Sequence, residues 1–266
     1  MSVLIVIPAR HQSARFPGKP LALLKGATGI AKPLLQRSWE VGQRVSGDPR
    51  VVVATDDAKI IETAANFGAE VIMTSEDCRN GTERVAQAYE RMKSDADIVV
   101  NLQGDAPLTP PDFVEALIDA MVENPDIGVA TPVLRCDGAA LQGFREDRRN
   151  DRVGGTTAVF DDQGRAMYLS KEVIPFTDGT YAAGEDTPVF HHVGVYAFRP
   201  NTLAAYRTWA PGRLETLEGL EQIRFMENDV PVHCVEVPGK GRAFWEVNNP
   251  VDVARVETIL KAQGIE

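Results

Sequence analysis

Cysteine is scarce in this chain of 266 residues, and its three copies, Cys78, Cys136 and Cys234, stand far apart with no CxxC pair. That spacing offers neither a zinc site nor a disulfide framework, and scattered thiols of this kind suit a reducing cytoplasm. Long apolar runs are also missing; none approaches the roughly 20 residues that a membrane span needs. The start, Met1-Ser2-Val3, lacks the basic region that opens a signal peptide. A soluble, cytoplasmic protein is therefore expected. Positive charge is in deficit, with 28 Lys and Arg against 38 Asp and Glu and a net charge of −10. This balance argues against nucleic acid and membrane surfaces as partners and favours a small anionic ligand held by a locally basic loop. Three familiar motifs are absent as well: G-x-G-x-x-G after the first strand, G-x-x-x-x-G-K-[ST], and G-x-S-x-G. Their absence argues against a dinucleotide-binding dehydrogenase, a P-loop enzyme and a serine-hydrolase elbow.

What is present is ordinary globular composition, 44% hydrophobic and 25% charged, enough for one large α/β domain over residues 1–266. Strand-like apolar runs at 3–7, 50–54, 70–73 and 98–102 alternate with helical patterns at 30–45, 58–67, 82–93 and 110–124. This alternation predicts a mostly parallel central sheet with right-handed crossovers, flanked by helices. After about residue 126 the pattern changes. Strands are expected at 127–134, 157–160 and 190–198, with a hairpin turn at 161–164, so that 130–200 reads as a β-rich excursion. Residues 138–152 are charged and read as a mobile segment, and 178–188 as a loop. Helices at 214–226 and 250–262 and a strand at 232–237 complete the pattern.

Ligands of such sheets sit at the carboxyl ends of the strands. The first strand ends in Pro8-Ala9-Arg10-His11-Gln12-Ser13-Ala14-Arg15-Phe16-Pro17-Gly18-Lys19-Pro20-Leu21. Cations and free backbone N–H groups can converge on phosphates there. The third long strand ends in Gln103-Gly104-Asp105, where a carboxylate beside a glycine is suited to Mg²⁺. Asn80-Gly81-Thr82-Glu83-Arg84 opens a helix with N–H donors, and Arg84 adds a fixed fork for a carboxylate or phosphate. His191 and His192 are adjacent on one strand and face opposite ways, so they cannot share a metal, whereas His192, Gly194 and Tyr196 point to one side. In the 214–226 helix Glu218, Glu221 and Gln222 lie three and four apart and share a face.

The pattern P-A-R-x-x-S-x-R-x-P-G-K-P-L, together with Gln103-Gly104-Asp105, Gly81-Thr82-Glu83-Arg84, the His-x-Gly-x-Tyr of 192–196 and Leu220-Glu221-Gln222, resembles the CMP-Kdo synthetases (3-deoxy-manno-octulosonate cytidylyltransferases). The similarity runs from residue 3 to about 257. It implies a Rossmann-like nucleotidyltransferase fold and transfer of CMP from CTP to the anomeric hydroxyl of a 3-deoxy-ulosonic acid. It also implies Mg²⁺ as cofactor and a homodimer joined through the β-rich excursion. By the resemblance Arg15, Lys19 and Asp105 are catalytic. Pro8, Ala9, Arg10, Ser13, Gly81, Thr82 and Arg84 join Arg15 and Lys19 in binding the nucleotide. Gln103, His192, Tyr196, Glu221 and Gln222 bind the sugar acid, and Asp105 and Asn248 hold the metal.

The chain departs from the family in places. Gly154-Gly155-Thr156-Thr157 replaces Asn-Ala-Val-Lys, Lys171 and His191 each replace an arginine, and Asn248 stands where the family has a second metal carboxylate. An amide oxygen still binds Mg²⁺, with less charge. These departures leave two alternatives open. One is a cytidylyltransferase for another acceptor, such as an amino-Kdo, a nonulosonic acid or a phosphonate. The other is a nucleotide-binding regulator without turnover.

Overall fold

The computed structural model describes residues 1–12, 16–153, 155–240 and 245–266. The chain forms two compact units, Met1–Glu115 with Gly241–Glu266, and Ala116–Lys240.

The first unit is built on a parallel sheet. Its strands are β1 (Val3–Ala9), β4 (Arg50–Thr55), β5 (Glu70–Met73) and β6 (Ile98–Leu102), in the order β5-β4-β1-β6. Leu4 to Ile7 and every residue of β6 are buried, as expected of strands covered on both faces. Between β1 and β4 the chain makes a small hairpin, β2 (Leu23–Lys25) with β3 (Ala31–Pro33), before helix α1 (Leu34–Gln43). The helix expected over 30–45 therefore starts four residues late, because 31–33 pair with 23–25 and Pro33 occupies the N-cap. The buried Arg37 of α1 donates to the Leu24 carbonyl at 2.8 Å and ties helix to hairpin. Helices α2 (Ala58–Asn66) and α3 (Gly81–Met92) follow β4 and β5. The first is capped by Asp57, the second by Asn80. After β6, α4 (Pro111–Glu123) crosses the boundary between the units.

The second unit is strand-rich. Strands β7 (Val129–Asp137), β8 (Thr156–Phe160), β9 (Ala166–Ser170), β10 (Asp186–His192) and β11 (Val195–Phe198) pair antiparallel in the order β11-β7-β10-β8-β9, and β12 (Val232–Glu236) runs parallel to β7. Three expectations fail here. Residues 138–149 are not a mobile segment but helix α5 (Gly138–Arg149), capped by Asp137. Its Leu141 and Phe144 pack against Cys136 and Val189, and Arg145 of the charge run donates to the Thr177 carbonyl at 2.5 Å.

The strand expected over 190–198 is broken between β10 and β11. Both pair antiparallel with β7, and the break falls opposite Pro132. Val193 N–H donates to the Pro132 carbonyl at 3.1 Å, but proline has no N–H to return, so the ladder lapses.

The helix expected over 214–226 is two short ones. After α6 (Pro200–Tyr206) come α7 (Arg213–Glu218) and α8 (Ile223–Met226). Gly219, with φ +61°, ends α7 in the left-handed conformation that glycine adopts most cheaply. Helix α9 (Asp252–Ala262) closes the chain and packs in the first unit, where Val256 and Leu260 join Leu24 and Leu34 in one core cluster. Among the described residues no helix is long and apolar enough to cross a membrane.

Candidate active site

Pro8 and Ala9 end β1, and Arg10 opens the loop beyond it, exposed to solvent. Ser13 and Arg15, both expected to bind the nucleotide, lie outside the described residues. The loop is closed by the Gly18 N–H, which donates to the His11 carbonyl at 2.9 Å, and Lys19 starts a short 3-10 turn. That turn aims Lys19 at the end of β6, where its ammonium is hydrogen-bonded to the Asp105 carboxylate. Two residues 86 apart in sequence, one expected to hold phosphate and the other metal, thus meet directly.

The close approach of the β1 and β6 ends explains Gly104. A Cβ there would sit 3.0 Å from the Pro8 carbonyl oxygen, tighter than a side-chain carbon normally comes to backbone. Asp105 is further fixed by the returning chain, since the Val247 N–H donates to its carbonyl at 3.0 Å. This bond ties the residue before Asn248 to Asp105 across 142 positions of sequence. Asp252 orders the segment around Asn248 by accepting from Asn248 N–H at 2.9 Å, Asn249 N–H at 2.6 Å and Trp245 Nε1 at 3.2 Å. Among the described residues no group of three or more His, Cys, Asp or Glu forms a metal cage. One carboxylate and one amide oxygen fit Mg²⁺, which usually keeps several waters and takes one or two carboxylates plus substrate phosphates.

Gly81 and Thr82 form the first turn of α3. Asn80 Oδ1 accepts from Glu83 N–H at 2.9 Å, while the Glu83 carboxylate accepts from Arg79 N–H at 2.9 Å and Arg79 Nε at 2.7 Å. Arg84 is 3% exposed, and its fork meets Asp56 Oδ2 at 2.8 Å and Thr74 Oγ1 at 2.5 Å. Gln103 follows β6 in the same unit, half-buried.

In the second unit His192 and Tyr196 still come together despite the break in their strand, with ring centroids 5.6 Å apart. His192 Nδ1 lies 3.0 Å from Thr156 Oγ1, its cross-strand neighbour, and Nε2 is buried with no hydrogen-bond partner among the described residues. Whichever tautomer is present, one ring nitrogen is left over for another group. Burial holds this imidazole neutral, with its pKa pushed down to about 3. His191 faces the other way. Its ring stands edge-on to Phe144 at 5.1 Å, and burial lowers its pKa to about 4. His191 thus packs on the α5 side of the sheet.

Glu218, Glu221 and Gln222 do not share a helix face. Glu218, at the end of α7, accepts from Ser170 Oγ at 2.8 Å and Lys171 N–H at 2.9 Å. Glu221 and the fully buried Gln222 occupy the turn after Gly219. That turn rests on a pair which motif reading does not reveal. Arg224 is buried and donates to Glu215 at 2.7 and 2.6 Å, with its guanidinium 4.2 Å from the Tyr206 ring centroid. Tyr206 in turn donates to the Glu221 carbonyl at 3.1 Å. Nine positions separate Glu215 and Arg224, a spacing that no helix periodicity would single out. No thiol is poised for attack in this unit, since burial pushes Cys136 and Cys234 up to about 12.

Known proteins match this arrangement along its length. A family model described as Cytidylyltransferase matches residues 4–232. A 3-deoxy-manno-octulosonate cytidylyltransferase from Maricaulis maris is 43% identical over 99% of both chains. The mitochondrial enzyme of that name from Arabidopsis thaliana is 35% identical, over 99% of this chain and 84% of its own. A solved CMP:2-keto-3-deoxy-manno-octonic acid synthetase complexed with CTP superposes with a TM-score of 0.83 at 31% identity, covering 99% of this chain and 100% of that one. The chain belongs to the cytidylyltransferase family, among the 3-deoxy-manno-octulosonate cytidylyltransferases.

Proposed function

We propose that this protein transfers CMP from CTP to the anomeric hydroxyl of 3-deoxy-manno-octulosonate. The hydroxyl oxygen forms a bond to the α-phosphorus, the bond from that phosphorus to the bridging oxygen breaks, the hydroxyl proton is lost, and pyrophosphate leaves. Nucleotidyl transfer of this kind asks for positioning and charge neutralisation rather than a covalent nucleophile.

The observation that carries the reading is the meeting of Lys19 with Asp105 at the carboxyl ends of β1 and β6. Paired in this way, each charge neutralises the other. Phosphates offered to Lys19 release the carboxylate, so the cation and the nucleotide are best taken up together. Arg15 and Lys19 hold the β- and γ-phosphates and stabilise the leaving pyrophosphate. Pro8, Ala9, Arg10, Ser13, Gly81 and Thr82 hold the nucleoside and its α-phosphate. Asp105 and Asn248 would hold Mg²⁺, which when bound neutralises charge at the α-phosphate and polarises it. Gln103, His192, Tyr196, Glu221 and Gln222 orient the sugar acid, the spare nitrogen of His192 serving a hydroxyl. The reading extends to a homodimer joined through the strand-rich region 130–200 and to a cytoplasmic location.

The test is pyrophosphate release with CTP, Mg²⁺ and a panel of sugar acids that includes 3-deoxy-manno-octulosonate. Turnover with that acid, lost in Asp105→Ala, is expected. Turnover with a different acid alone would move the substrate, and CTP binding without any release would turn the enzyme into a regulator.

A further inference from the structure

Arg84 sits where a nucleotide-binding cation is expected, yet its guanidinium is buried and bound to protein. One nitrogen donates to Asp56 Oδ2 at 2.8 Å and another to Thr74 Oγ1 at 2.5 Å. Asp56 follows the end of β4, and Thr74 follows the end of β5. Those two ends are themselves joined, because the Thr74 N–H donates to the Thr55 carbonyl at 2.8 Å. Thr55 is also the residue paired with Ala9 at the tip of β1. One rigid fork therefore ties the first turn of α3 to the strand ends that border the Ala9–Arg10 corner. A second link runs nearby, from the Ser75 N–H to Gln87 Oε1 at 2.5 Å. The cap made by Asn80 and the Arg79–Glu83 pair stabilises the helix end locally, whereas the Arg84 bridge reaches from that end to the ends of β4 and β5.

We propose that Arg84 is a positioning residue whose pairing with Asp56 places the Gly81-Thr82 backbone for CTP, without itself touching the nucleotide. A planar five-donor fork suits this task, because it fixes two acceptors at once in direction as well as distance. Asp56 becomes part of CTP recognition by the same argument, through its pairing with Arg84. The inference rests on the reading that Gly81 and Thr82 belong to the nucleotide site.

The experiment is a double-mutant cycle on the full-length protein with Asp56→Asn, Arg84→Met and the double variant. It reads CTP affinity by calorimetry, kcat and KM for both substrates, and thermal unfolding. Misplacement of a binding element by about an ångström can cost on the order of 100-fold, so each single variant is expected to weaken CTP binding by about 10- to 100-fold. The double variant should be no worse than either single, since they break one device. KM for the sugar acid should hold, and kcat at saturating CTP should fall far less than the affinity. Arg84→Lys, which keeps the charge and loses the fork, should regain stability but not CTP affinity. Wild-type CTP affinity in Asp56→Asn together with a large loss in Arg84→Met would mean direct contact and would overturn the proposal. Loss of stability with unchanged CTP affinity in all variants would make the bridge purely structural and would also overturn it. Lys19→Met serves as the independent control: if it too binds CTP normally, the nucleotide-site reading itself has failed, whatever the cycle gives.

Discussion

Asp105 is ion-paired with Lys19, and the proposed function gives the same carboxylate to Mg²⁺. Asp105→Ala should reduce kcat by about 100-fold or more, the scale on which a preorganised charge acts on a transition state, measured as pyrophosphate release. Asn248→Asp restores a second carboxylate to the pair. It should lower the Mg²⁺ concentration needed for half-maximal rate, because Mg²⁺ prefers charged oxygen donors; an unchanged Mg²⁺ dependence would remove Asn248 from the metal site. The cysteines give a separate check at this scale. Cys136 and Cys234 are buried, with their pKa values raised to about 12, and only Cys78 is half-exposed. A thiol reagent should therefore label one cysteine per native chain and all three after denaturation. The identity of these residues as chemistry-bearing groups is legible in the sequence. The pairing of Lys19 with Asp105 is not, because a contact across 86 positions leaves no local pattern.

At the scale of elements, the turn that carries Glu221 and Gln222 depends on a glycine and a buried ion pair. Gly219→Ala forces an L-residue to φ +61° and brings a Cβ to 2.7 Å from Lys171 Nζ. The cost should be about 1 kcal/mol or more in urea unfolding, and KM for the sugar acid should rise while KM for CTP does not. Glu215→Ala leaves Arg224, 1% exposed, without its carboxylate, which should cost about 3–5 kcal/mol. The elements differ in how well the sequence shows them. The parallel strands β1, β4 and β6 are visible because burial makes them continuous apolar runs bounded by polar ends, and β5, half-exposed at the sheet edge, shows only as a short β-branched run. The breaks are not visible. Gly219 in a helical pattern and Pro132 opposite a strand act through backbone conformation and a missing donor, and only a partner strand or a closing turn makes either decisive. Helix α5 was hidden for the opposite reason: its charge run dominates the composition, while its small apolar face is recognisable only against Cys136 and Val189.

Over the whole molecule, two histidines with lowered pKa values make stability fall towards acid pH. His191 and His192 titrate in the unfolded chain near 6.5, but burial lowers their native values to about 4 and about 3. Below the unfolded pKa the unfolded chain binds protons that the native one refuses, so stability falls as pH drops. The loss should begin as pH passes below about 6.5, at up to about 1.4 kcal/mol per pH unit for each histidine, and continue towards pH 4. Urea midpoints between pH 7.5 and 5 measure it. His191→Leu, which keeps an apolar neighbour for Phe144, should flatten the slope by one proton's share.

The sequence by itself determined the class of the fold, the acidic surface with one basic loop, and the motifs at the ends of β1 and β6 and the start of α3. All of these are written in local composition, alternation and short spacings. Tertiary structure alone decided that Lys19 meets Asp105, that Arg84 turns inward to Asp56 and Thr74, and that His192 leans on Thr156. It also decided that the Glu218 carboxylate belongs to β9 rather than to a shared helix face. Each of these is a pairing between distant positions. Side-chain charge and hydrogen-bonding capacity are fixed residue by residue, but the partner that satisfies them is chosen only when strand register and chain crossings bring the groups within about 3 Å.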